Sequence, residues 1–215
     1  MSHTTKSLSQ TPTFRKNRKF SEAKTNASHS QALRKKLLGN EHADVAGTLG
    51  LLGQICFDQK DFEGAEDWQR KEVAIWRNLL GTNSPPAPAN AQGYVDSLAR
   101  LTQTLLARQG YAEAELPARE AVAFAEKELR NDWQRFRASS LLGGVLSGQR
   151  KYVEAEPLLL SGYEGLAQTA ESIPADDKVA IADAIQRLIV CYQDSNKSDK
   201  AAVWKTKLDS LNSKK

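Results

Sequence analysis

The sequence is short of the side chains on which most enzymes and metal proteins depend. Of 215 residues, three are histidine, two cysteine and one methionine. His3, His29 and His42 all lie near the N-terminus, and none neighbours a Ser, Asp or Cys in a recognisable catalytic pattern. Cys56 and Cys191 stand far apart in apolar runs. With no second Cys or His at ligand spacing, they read as small buried hydrophobes and not as zinc ligands. No apolar run approaches the ~20 residues of a membrane-spanning helix. The opening "MSHTTKSLSQTPTFRKNRKF" has basic residues but no apolar segment to make a secretory signal. A kinase's glycine-rich loop, strand lysine and acidic metal-binding triplet are missing; Gly143 and Gly144 sit among helical leucines. Alternating β-branched runs bounded by turns are absent too. These gaps leave an all-α chain that is not an enzyme, with no cofactor and no metal, in a reducing compartment, the cytoplasm.

Charge is present but uneven. Residues 1–36 hold nine Lys or Arg against one acid, Glu22, whereas the rest holds 21 basic and 25 acidic residues. The pI near 9.0 therefore reports the N-terminal segment. Residues 1–30 are rich in Ser, Thr, Lys and Asn, with few large apolar side chains to offset ordering entropy. They are expected to form a disordered basic tail. Such a tail can hold nucleic acid through phosphate contacts, but a solvated end is the simpler expectation.

From Gln31 the pattern becomes helical. "QALRKKLLGN" reads as a short helix stopped at Gly39. Val45, Leu49, Leu52 and Cys56 then fall on one helical face. "KDFEGAEDWQRKEVAIWRNLLG" follows, with Asp61 as N-cap and Gly81 as stop. The prolines of "NSPPAPANAQG" forbid continuous helix. Further pairs are expected over 90–130, 132–170 and 176–212. Asp176 and Asp177 suit a helix N-terminus, which favours acids, better than a metal site.

Aligning the pairs exposes one unit. Leu52, Leu101, Leu142 and Leu188 share a site in the first helix, and Cys56, Leu105, Leu146 and Tyr192 follow four residues on. Phe62, Tyr111, Tyr152 and Ser198 come next, then Ala65, Ala114, Ala155 and Ala201. A small Ala lets two helices approach, and the aromatic fills the space beside the turn. Trp68 and Trp204 share a site in the second helices and read as packing residues.

"FEGAEDWQR", "YAEAELPAR" and "YVEAEPLLLSGY" resemble the second helices of tetratricopeptide repeats, in the longer variety found in kinesin light chains and in the C-terminal arrays of bacterial serine/threonine kinases. The resemblance covers residues 31–212. It implies a right-handed superhelical array of about four antiparallel helix pairs, with units at 42–81, 90–130, 132–170 and 176–212, preceded by a half-repeat at 31–40. It also implies a proline after the Ala-Glu pair, as at Pro117 and Pro157. The last unit, with Ser198 for the aromatic, reads as a polar cap.

Such arrays bind an extended peptide or partner segment along the first helices. The core leucines place Gln54, Phe57 and Asp58 of the first pair on that groove. The same reckoning places Asp96, Arg100 and Gln103 of the second pair there, Arg137 and Ser140 of the third, and Asp183, Arg187 and Gln193 of the fourth. Arg100, Arg137 and Arg187 would share one channel, so an acidic peptide or a free C-terminus is a reasonable ligand. The expected function is a non-enzymatic protein-interaction module. The alternative is an accessory or self-association piece of a kinase-type signalling protein. The open half-repeat predicts a homodimer or a required partner; nucleic acid and membrane are disfavoured.

Overall fold

A computed structural model describes residues 12–81, 86–130 and 132–213, with side chains from Phe20 onward. The chain divides into two compact units, Met1–Thr82 and Asn83–Lys215. Among the described residues the regular structure is helical throughout. The first unit holds α1 (Pro12–Leu38), α2 (Ala43–Asp58) and α3 (Phe62–Leu80). The second holds α4 (Pro88–Ala107), α5 (Tyr111–Glu128), α6 (Trp133–Gly148), α7 (Tyr152–Gln168), α8 (Val179–Asp194) and α9 (Ser198–Asn212), with a 3-10 turn at Ala175–Asp177. No helix among these residues is long and apolar enough to cross a membrane.

Local chemistry sets the ends. Asp61 accepts the Gly64 amide at 3.0 Å and Asp132 accepts the Gln134 amide at 3.1 Å, the usual N-cap bonds. Pro88 opens α4, where its missing N–H costs nothing. Gly39, at φ +85, ends α1, and Gly81 ends α3.

The four helix pairs turn in the same way. Lys60, Gln109, Arg150 and Asn196 adopt φ of 64, 60, 63 and 59 degrees. The next amide in each turn reaches back to the first helix: Asp61 to Cys56 O at 2.9 Å, Gly110 to Leu105 O at 2.9 Å, Lys151 to Leu146 O at 2.9 Å and Lys197 to Tyr192 O at 2.8 Å. This is the Schellman closure, and it fixes each second helix antiparallel to its first. Ala65, Ala114, Ala155 and Ala201 then lie 0, 0, 0 and 2% exposed. Pro117 and Pro157 are inside α5 and α7. The carbonyl that would have met the amide at position 157 belongs to Val153, which is 90% exposed, so water can take the lost partner's place.

The Glu after the Ala has a separate task. Glu115 accepts Gln149 Nε2 at 2.8 Å and Lys151 Nζ at 3.3 Å, both from the turn of the next pair. Glu156 repeats this with Lys197 at 2.6 Å and Lys200 at 2.8 Å, plus Tyr192 Oη at 3.0 Å. Hydrogen bonds from Gln149 and Lys197, respectively the largest causes, hold both carboxyls down at about 2. Glu66, in the first pair, accepts Arg70 Nε at 2.7 Å within its own helix.

Residues 1–30 do not behave as one disordered tail. Residues 1–11 lie outside the described residues, but helix runs unbroken from Pro12 to Leu38, and the expected short helix from Gln31 is only its last part. The reason is packing: Ala27 is 4% exposed in a cluster with Leu52 and Ile55, with Phe20 and Trp68 against it. Arg34 Nη1 also donates to Thr48 Oγ1 at 2.5 Å. The sequence held the signal: "FSEA" at 20–23 repeats "FEGA" at 62–65, and "LLG" at 37–39 repeats "LLG" at 79–81. Thus α1 is a second helix of the repeat, beginning its motif at Phe20.

Candidate functional site

In the second unit, α6 packs against both α4 and α8, the first helices of successive pairs. Glycine allows close approach of α6 to α7 at Gly143, to α8 at Gly144 and to α5 at Gly148. A Cβ on Gly143 would lie 2.7 Å from Leu159 Cγ, and one on Gly144 would lie 3.0 Å from Arg187 Cδ. A Cβ on Gly148 would run into the Tyr111 ring. The face so formed holds a cavity of about 280 Å³. Leu106 and Ala107 of α4, Tyr111 of α5, Gly144, Ser147 and Gly148 of α6, and Val190 of α8 line it, with Gln103, Gln186, Arg187 and Asp194 as its polar members.

Of the groove residues expected from sequence, Gln103 and Arg187 line this cavity. Asp96, Arg137 and Asp183 lie in the N-terminal halves of the same three helices, and Arg100 lies just past the middle of α4. Arg137 Nη1 is 3.3 Å from Asp96 Oδ1, which ties α6 to α4. Arg187 Nη1 donates to Ser140 Oγ at 3.2 Å, tying α8 to α6, and its Nη2 lies 4.0 Å from Asp183 Oδ2. Ser140 is therefore misplaced by the sequence reading: it is fully buried under Arg187 and is not on open surface. Gln193 is exposed and outside the cavity lining.

The arginines do not form a uniformly cationic channel. Asp96 and Asp183 accompany Arg137 and Arg187. Asp177, on the 3-10 turn, lies within the fields of Arg137 and Arg100 as well as those of Asp96 and Asp176. Burial raises Asp177 above the ordinary carboxylate value, against the opposing pull of Arg137. Burial also brings Arg187 down to about 10, with Asp183 holding it up and Arg137 pressing it down. Arg187 is therefore charged at neutral pH, and a guanidinium has more donors than Ser140 consumes.

The three remaining expected residues are in the first unit, on α2. Gln54 donates to Asp58 Oδ1 at 2.9 Å. Phe57 packs edge-on against Phe62 with centroids 5.4 Å apart, a contact that secures the turn. Trp68 packs with α1 and α2, and Trp204 meets Tyr163 edge-on at 4.8 Å. Both thiols are buried, and burial raises both Cys56 and Cys191, which suppresses the reactive thiolate. Among the described residues no group of three His, Cys, Asp or Glu side chains could hold a metal ion.

Residues 45–86, spanning most of α2 and all of α3, match the family model described as tetratricopeptide repeat. Residues 45–86 carry one tetratricopeptide repeat. The repeat-bearing fold is similar to a putative kinesin light chain with nearly identical TPR-like repeats from Podosopora anserina, in the crystal structure of a point variant. That similarity has a TM-score of 0.66 at 19% identity, covering 94% of this chain and 90% of that one. It is also similar to apo RapI (TM-score 0.67, 10% identity), covering 93% of this chain and 50% of RapI. BtubC (BKLC) from P. vanneervenii gives a TM-score of 0.54 at 11% identity, over 90% of this chain and 91% of that one. No curated protein matches the chain. At these identities the likeness is one of fold alone, an all-α array of helix pairs.

Tyr111, Gly144, Gly148, Gln186, Val190 and Asp194 were not among the residues expected from sequence. The signal available for them was the pair Gly144 and Gly148, four residues apart and hence on one helical face.

Proposed function

We propose that this chain acts by binding another protein, without chemistry of its own. Its site is the face of α4, α6 and α8 in the second unit, where an extended segment of the partner lies. The observation that carries the reading is the cavity of about 280 Å³ made by three successive first helices. Its Leu106, Ala107 and Val190 suit an apolar side chain of the ligand. Arg187 at its wall suits a carboxylate of the same ligand, from an acidic residue or a free C-terminus. Because Asp96 and Asp183 offset Arg137 and Arg187, one well-placed carboxylate fits this face better than a long acidic run.

Peptide display tests this directly. Libraries selected on the whole protein should yield peptides sharing an apolar residue beside an acid. Val190→Trp, which fills the cavity from a side chain 41% exposed, should weaken them by about tenfold or more. Failure to enrich any motif, or equal binding by Val190→Trp, would sink the proposal.

A further inference from the structure

The first unit has a second surface that the groove does not use. Superposing the repeat motif places Ala23 of α1 on Ala65 of α3. Ala65, Ala114, Ala155 and Ala201 are buried where their own first helix lies; Ala23 is exposed. Farther along the same side of α1, Leu33 is 47% and Leu37 78% exposed. On the adjoining helix, Leu51 occupies the register site that Leu141 occupies in α6. Leu141 is 1% exposed, in a helix packed against the preceding first helix, α4, whereas Leu51 is 53% exposed. The same residue type at the same site is thus covered in one pair and bare in the other.

The chain does not supply the missing helix through the usual hairpin. Residues 59–61 make the turn before α3, and their counterparts 17–19 lie inside α1. The seat is therefore open to a helix from another molecule, and charge says which kind. Helix α1 carries eight basic residues against the single acid Glu22. A second copy would bring two such helices side by side, like charge against like; an acidic helix would meet complementary charge.

We propose that Ala23, Leu33 and Leu37 of α1, with Leu51 of α2, form the seat for an acidic amphipathic helix of a partner protein. That helix takes the place of a first helix and completes the opening pair, with its apolar stripe on the leucines and its acids toward the basic residues of α1. This surface belongs to the first unit, and the α4–α6–α8 groove to the second.

The probe is a labelled, lactam-bridged helical peptide about four turns long, with Leu at every third or fourth position and Glu on its outer face. Fluorescence anisotropy with the full chain should show saturable binding. Binding should weaken about tenfold or more for Leu33→Ser/Leu37→Ser/Leu51→Ser, and similarly when Lys replaces Glu in the peptide. These positions are exposed, so circular dichroism should report an intact fold, and Val153→Ser, at another exposed site, should bind as wild type. Absent saturation, or equal binding of the acidic and basic peptides, overturns the proposal. So does sedimentation showing a dimer that the triple Ser variant abolishes, which would assign the seat to a second copy.

Discussion

Glycine has opposite value at different points of this fold. Gly162 in α7 faces α6 so closely that a Cβ would lie 2.7 Å from the Ser140 amide nitrogen and 2.9 Å from Phe136 O. Those are backbone atoms and cannot swing away. Gly162→Ala should therefore lower stability by up to about 2 kcal/mol, because overpacking of about 1–3 kcal/mol outweighs a helix-propensity gain of about 1. Gly47, on α2, has no atom within 4 Å of its would-be Cβ, so Gly47→Ala should raise stability by up to about 1 kcal/mol. Thermal melts of the two variants should move in opposite directions. Glycine inside a helix costs stability by propensity alone, and close packing against α6 accounts for Gly162 and Gly165 of α7. The sequence did not reveal Ser140 as buried, since one helix's leucine stripe cannot show that Arg187, 47 residues away, would cover the hydroxyl. For the same reason the carboxylates that pair with the arginines were named as groove residues, but their pairing was not visible.

At the scale of the element, the turns were the most legible part. Asp61 starts a helix, and Gly39 and Gly81 end helices, where local chemistry says they should, because caps depend on near neighbours only. The left-handed residue inside each turn was less visible, since three of the four are Lys, Gln and Arg. Arg150→Gly should stabilise the second unit by about 0.5 kcal/mol: relief of about 1 kcal/mol of left-handed strain exceeds the added chain entropy of glycine. Denaturant midpoints would register it. The part of α1 before Gln31 was missed because its motif is followed by Lys24, not Glu, among polar residues whose composition argues for disorder.

The carboxylate clamps between elements make a pH prediction. Glu156 has an ordinary value of 4.5 and sits at about 2 in the folded chain. A depressed carboxyl stabilises the folded state above its unfolded value and loses that contribution as pH falls from 4.5 toward 2. Its side chain is 21% exposed, so solvent screening leaves on the order of 1 kcal/mol. Glu156→Gln should be less stable than wild type at pH 7 by about that amount. The difference should shrink on acidification through that window; a constant difference in chemical denaturation would contradict the clamp.

For the whole molecule, the expectation of an all-α repeat array agrees with the fold, because recurrence at fixed register outlasts the loss of any one residue. Helix α9 packs on α8 and buries only Ala201 among its own residues, leaving a polar outer side that suits a cap. Removing residues 198–215 should uncover the α8 side that carries Leu188 and Tyr192 and release Glu156 from Lys200. Gel filtration should then show self-association, with lower helicity and a lower melting temperature; a monomer as stable as the full chain would count against the capping role.

The third pair has an unusual property for protein engineering. It offers both halves of the clasp: Lys151 and Gln149 at its leading corner, and Glu156 to grip whatever comes after. A tandem duplicate of this module would present its own Lys151 and Gln149 to the Glu156 of the original, the same kind of contact that they already make with Glu115. The final pair, with Ala202 where the grip should be, cannot be multiplied in that way. Length in this protein is adjustable from the middle and closed at the C-terminal pair.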